Sequence, residues 1–93
     1  MLNIRDLQCF VKVYELKNFS RAAATLDMVQ SQVSARVRRL EDSMDTVLFV
    51  RLHRGVLPTP KGDELYEHAK RVLLQVAEME SAARMRGTLP GDG

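Results

Sequence analysis

Residues 27–41, DMVQSQVSARVRRLE, gather Arg36, Arg38 and Arg39, with Gln30, Ser31, Gln32 and Ser34 just ahead of them. A guanidinium offers several N–H donors in a fixed fork that matches phosphate oxygens or a guanine edge. Short amide and hydroxyl side chains suit direct hydrogen bonding to base edges. The stretch therefore fits contact with an anionic, hydrogen-bonding surface, although arginines on a helix are most often a solvated face. Arg51, His53 and Arg54 form a second basic cluster further on. Other chemistry is thin. The single cysteine, Cys9, excludes an internal disulfide and, among apolar neighbours, reads as core filler. Cys9, His53 and His68 are too scattered for a metal-ligand spacing, so no metal or cofactor is expected. No Gly-rich phosphate loop and no motif joining Ser, His and Asp points to an enzyme.

The chain of 93 residues suits one small domain, marginal alone, for which oligomerisation is a natural remedy. Its 45% apolar and 28% charged residues are a globular balance. No run approaches the roughly 18 apolar residues of a membrane span, and the cysteine usage fits a reducing, cytoplasmic setting. The net charge of +2 is weak evidence for nucleic acid, but its distribution says more. Residues 1–60 hold nine Lys/Arg against six Asp/Glu, and residues 61–93 hold five against six.

Certain elements must position these groups. Ile4, Leu7, Val11 and Tyr14, broadened by Phe10 and Val13, mark a first helix with Asn3 as its cap. NFSRAAATL predicts a short second helix from Arg21 to Leu26, capped by Ser20, whose run Ala22-Ala23-Ala24 permits close approach of another helix. In the third helix Val33, Val37, Leu40 and Met44 share an inner face. Ser31, Ala35, Arg38 and Arg39 point roughly the other way, and Ser34 and Gln32 lie on the flanks. LFVRLHRGVLP reads as two short strands around a Gly-containing turn. Thr59 as cap, Pro60 at the first position and acidic Asp63 and Glu64 start a long helix. There Leu65, Ala69, Val72, Val76, Met79 and Ala83 form a heptad seam, which fits a dimer interface better than an internal core. At ~1.5 Å per residue this helix would span about 40 Å, more than the small body needs.

Three helices followed by a β-ribbon make a winged helix-turn-helix, mostly α, with a long linker helix behind it. Residues 3–74 resemble the DNA-binding domain of LysR-type transcriptional regulators through LQCFVKVYELKNFSRAAATL, QVSARVRRLED, LFVRLHRGV and TPKGDELYEHAKRVL. The resemblance implies a bacterial, sequence-specific DNA-binding domain over residues 1–58 and a linker helix over 59–86 pairing antiparallel in a homodimer. It also implies a tail over 87–93 leading toward a C-terminal effector domain absent from this chain. A small-molecule effector would act through that domain, and tetramers would form at full length. A helical interaction module with an incidental basic face is the competing reading.

The resemblance implies a third helix lying in the major groove. Gln30 keeps the family's glutamine, and Gln30, Ser31, Gln32 and Ser34 are expected at base edges. Val29 stands where a capping serine is usual, so Ser31 is a candidate replacement cap. Ala35 stands where arginine is frequent, leaving Arg36 or Arg38 to contact bases or phosphates. Arg39 is expected to pair with a nearby acid such as Asp42. Asp45 replaces a common glycine. Arg51, His53 and Arg54 are expected at the minor groove. Ser20 and Arg21, and likewise Thr59 and Lys61, sit at helix starts suited to phosphate.

Overall fold

The computed structural model describes residues 2–86, so the expectations for 87–93 lie outside the described residues. Four helices and one two-stranded antiparallel sheet follow in the order α1 (Ile4–Leu16), α2 (Phe19–Leu26), α3 (Gln30–Met44), β1 (Phe49–Arg51), β2 (Val56–Pro58) and α4 (Pro60–Arg86). This is the winged helix-turn-helix with an appended long helix.

In α1, Asn3 Oδ1 accepts from the N–H groups of Arg5 and Asp6, which satisfies two of the helix's orphan donors. The buried stripe holds Leu7, Phe10, Val11 and Val13 as expected and departs only at its ends, where Tyr14 is half-buried. Cys9, Phe10 and Val13 are fully buried, whereas Ile4 is exposed. α1 packs against α2, α3 and α4, and positions 9, 10 and 13 lie in the core they share.

The cap of α2 is Asn18 rather than Ser20, and the helix starts at Phe19. Asn18 Oδ1 accepts from Arg21 N–H at 2.9 Å. This frees the Ser20 hydroxyl for another partner. Ala22 and Ala23 are buried as their small size suggests, while Ala24 is exposed.

The start of α3 also differs from expectation. Val29 remains the N-cap residue although it has no acceptor side chain. Gln32 supplies the reciprocal bond, its Oε1 accepting from Val29 N–H at 3.1 Å, while the bond a capping hydroxyl would make to the first helical N–H groups is not made. The helix begins at Gln30, with no two-residue delay at Ser31. At its other end Asp45 has φ 53°, the left-handed region in which the common glycine would sit without strain.

The wing pairs Phe49 with Pro58, Val50 with Leu57 and Arg51 with Val56. Gly55 turns it with φ 74°, and a Cβ there would lie 2.8 Å from the Lys17 carbonyl oxygen. Phe49 and Val56 are buried; Val50 and Leu57 face out. Rings of Phe10 and Phe19 meet Phe49 at 5.5 and 6.1 Å, joining the wing to the helical core.

The long helix is capped as expected. Thr59 Oγ1 accepts from Gly62 N–H at 3.0 Å and donates to the Val47 carbonyl at 2.7 Å. Gly62 is held so close to the Leu48 carbonyl that a Cβ would stand 2.3 Å from its oxygen. The seam assigned to a partner chain needs correction at its start. Ala69 is 3% exposed within this chain, and Leu65 packs against the same core. Two further locks were not foreseen. Tyr14 and Tyr66 stack at 3.8 Å, Tyr14 donating to Asp63 and Tyr66 to Glu15, so α1 and α4 exchange phenol–carboxylate bonds. Hence α4 is part of the body through roughly its first half, not a rod that begins at residue 59.

Candidate nucleic-acid interface

Charge on α3 is sorted by angle. Arg36 and Arg39 are three positions apart and turn toward α1, where both meet Asp6. Arg36 Nη1 donates to Asp6 Oδ1 at 3.0 Å, while Arg39 Nε and Nη2 donate to Oδ2 and Oδ1 at 3.0 and 3.1 Å. Asp6 is 2% exposed. Burial pushes its carboxyl up, but the hydrogen bonds and positive charges of Arg39 and Arg36 outweigh that and hold it below the ordinary carboxylate range. Arg39 thus pairs with an acid, but Asp6 across the core rather than Asp42 one turn away. Arg36 was expected at bases or phosphates; it is half-buried and tied to the same carboxylate.

Arg38 points to the opposite side. With Ser34, Ala35, Glu41, Phe19, Phe49 and Arg51 it lines a cleft of about 290 Å³ between α3 and the wing. The small Ala35 side chain leaves the middle of this surface shallow. Arg51 reaches into the cleft because strand alternation puts it on the same face as Phe49. Its guanidinium lies 4.1 Å over the Phe19 ring, and Nη2 donates to Ser34 Oγ at 3.2 Å. Arg51 is therefore drawn toward α2 and α3, away from the wing tip where it was grouped with His53 and Arg54. Those two remain exposed at the tip.

A second cleft of about 190 Å³ continues past Arg51 between the start of α2 and the wing, touching Ser20, Gln30 and Gly55. Here Ser20 Oγ donates to Gln30 Oε1 at 2.8 Å. Arg21, Ser31 and Gln32 are exposed nearby in sequence on the same two helix starts. The structure thus brings Ser20, Gln30, Ser34, Ala35, Arg38 and Arg51 around two adjoining clefts. Thr59 and Lys61 line neither. The Thr59 hydroxyl is engaged by its cap and by Val47, and Lys61 pairs with Glu64 at 3.0 Å.

Glu41 was not singled out from sequence. Its Oε2 accepts from Leu48 N–H at 2.8 Å and Phe49 N–H at 3.4 Å, fastening the start of β1 to α3. Asp6 was missed as well. Its signal was an acid four residues before Phe10, inside the apolar stripe, where an unpaired charge would be too costly. Of the dimer seam, Val72 and Met79 are exposed large apolar residues, Val76 is half-buried and Ala83 is exposed. Among the described residues no helix is long and apolar enough to cross a membrane.

Residues 4–63 match the family model described as bacterial regulatory helix-turn-helix protein, lysR family. The nitrogen assimilation regulatory protein nac of Klebsiella aerogenes is 38% identical over 91 residues, which is 97% of this chain and 30% of that protein. The chain thus spans about 30% of the length of the curated relatives it matches. Among solved structures, the BenM DBD in complex with catB site 1 DNA superposes with a TM-score of 0.89 at 31% identity, covering 95% of this chain and 99% of that one. The CbnR DBD–DNA complex gives 0.86 at 29% identity, covering 92% and 99%. The matched segment contains the three helices, the wing and the capped start of α4, the elements that build both clefts, and the chain belongs to this lysR family of bacterial regulatory helix-turn-helix proteins.

Proposed function

We propose that this chain binds double-stranded DNA sequence-specifically, as a homodimer, in the service of bacterial transcription regulation. The observation that carries the reading is the shared cleft of Arg38 and Arg51, with Ser34 and Ala35 between them on α3. A major groove is about 12 Å wide and admits one helix. The exposed side of α3 can enter it while the wing follows the adjoining backbone. Ser31, Gln32 and Ser34 then lie at base edges with Gln30. Arg38 supplies a base or phosphate contact in place of the side chain that Ala35 lacks. Arg21 suits phosphate at the start of α2, and His53 and Arg54 suit the minor groove. Arg36 contributes to the local positive potential through the part of it left exposed. Two solved relatives carry DNA in complexes of the same fold, which supports the reading.

The second half of α4 supplies the dimer contact through Val72, Val76, Met79 and Ala83. The first seam positions, Leu65 and Ala69, instead support this contact from within the chain. The role is binding rather than catalysis, and the relatives are regulators. A cytoplasmic setting follows from a duplex-DNA partner. In a longer chain an effector ligand and further assembly would act through segments beyond this one.

A salt titration on duplexes selected from a random pool tests the proposal. Affinity should fall as a power of salt concentration, with a slope of about −0.9 per phosphate contact, and one motif should be enriched. Arg54→Ala should weaken all sequences alike and make the slope shallower. Absence of duplex binding at low salt rejects the reading in favour of a helical interaction module.

A further inference from the structure

Ser20 and Gln30 belong to different helices, ten residues apart, yet the hydroxyl donates to the carboxamide oxygen at 2.8 Å. Both helix starts are fixed. Asn18 caps α2, Gln32 closes the start of α3, and Phe19, Ala22 and Val33 are buried beside them. Gln30 itself is exposed at the edge of the second cleft. A carboxamide carries one acceptor oxygen and one NH2, on opposite sides of its carbon. With Oε1 turned to Ser20, the NH2 is left over, and among the described residues no protein acceptor takes it.

We propose that Ser20 is a specificity-determining positioning residue: its hydroxyl fixes the flip of the Gln30 carboxamide so that Gln30 presents a donor to a major-groove base. The inference rests on the DNA-binding reading above. A glutamine free to flip can offer oxygen and nitrogen together to adenine N6 and N7. One whose oxygen is turned back toward Ser20 aims its NH2 outward and favours an acceptor edge, O6 and N7 of guanine or O4 of thymine. Ser20 acts on the base through Gln30 and need not touch it. A phosphate contact from Ser20 would instead act alike on every sequence.

Selection from randomised duplexes distinguishes these roles, using the 93-residue chain as wild type, S20A, S20T, Q30A and S20A/Q30A. Q30A should erase preference at one base pair, which identifies the position at issue. The wild type should prefer guanine or thymine there. S20A should admit adenine at that pair, with discrimination falling about tenfold, within the range of one good base contact, and S20T should restore it. Adding S20A to Q30A should change nothing further at that pair. The proposal is overturned if S20A weakens all sequences equally or leaves that preference intact, or if Q30A moves no position. Failure of the wild type to enrich any motif would reject the DNA reading itself and this inference with it. A specific wild type with an indifferent S20A would reject the inference alone.

Discussion

Both α3 and α4 give part of their surface to the protein and withhold the rest, but they are divided in different directions. In α3 the division runs lengthwise: Val33, Val37 and Leu40 are buried and Arg36 and Arg39 are tied to Asp6, while Ser31, Ala35 and Arg38 stay outside along the whole helix. In α4 the division runs crosswise: Gly62 and Ala69 are buried and Leu73 packs on the core, whereas Met79 and Ala83 beyond it are exposed. A helix lying flat on a core must sort its residues by angle. A helix that runs off the edge of the body sorts them by distance from it. The same apolar period therefore means core at one end of α4 and an unpartnered stripe at the other.

The sharpest test sets Ala69→Asp beside Val76→Asp. The first buries an unpaired charge and should cost about 4 kcal/mol or more, abolishing the cooperative melt followed by circular dichroism. The second should keep the helical signal but sediment as a monomer and bind the selected duplex more weakly. Equal loss of structure in both would erase the crosswise division of α4.

The lengthwise division of α3 is tested next. Asp6→Asn removes the charge shared by Arg36 and Arg39 and should cost about 2 kcal/mol, as expected for charge-assisted bonds. Arg38→Ala should stay within about 0.5 kcal/mol in urea denaturation yet reduce DNA affinity with a shallower salt dependence. The reverse ranking would place Arg38 in the body and Asp6 outside it.

The seams that α1 makes with the two helices should separate by pH. The Asp6 carboxyl lies below its ordinary 3.8, so the stability it contributes is present above that value and is lost as pH falls through its folded pKa. The Tyr66 phenol is pushed up to about 12 by burial and by its bond to Glu15. Its contribution is whole below the unfolded value of about 10 and is lost as pH rises toward about 12. Asp6→Asn should flatten only the acid limb of a stability profile, and Tyr66→Phe only the alkaline limb. The smallest effect is expected at the end of α3. Asp45→Gly should relieve a left-handed φ and raise stability by about 1 kcal/mol or less, read as a small rise in melting temperature.

Much of this was legible in the sequence for identifiable reasons. Periodicity marks Val33, Val37 and Leu40, the turn chemistry at Gly55 marks the wing, and Thr59-Pro60 marks the start of α4. The order of helices and ribbon marks the winged architecture, and the family resemblance adds the base-edge role expected of Gln30. What stayed hidden depends on distance in the chain. Asp6 meets Arg36 and Arg39 across some thirty positions, and Tyr66 meets Glu15 across fifty-one. No local pattern announces such a partner. Local competition hid the rest: Asn18 and Ser20 are both good caps, and only the path of the chain into Phe19 decides between them.

The carboxylate of Glu41 grips two backbone N–H groups at the root of the wing. Because Arg51 also reaches back to Ser34, α3 and the ribbon are joined at two points, as the two jaws of a gauge are. A duplex seated on such a gauge would have to fit its own groove spacing to the protein. Stiff and pliant DNA sequences would then be told apart at base pairs that no side chain touches.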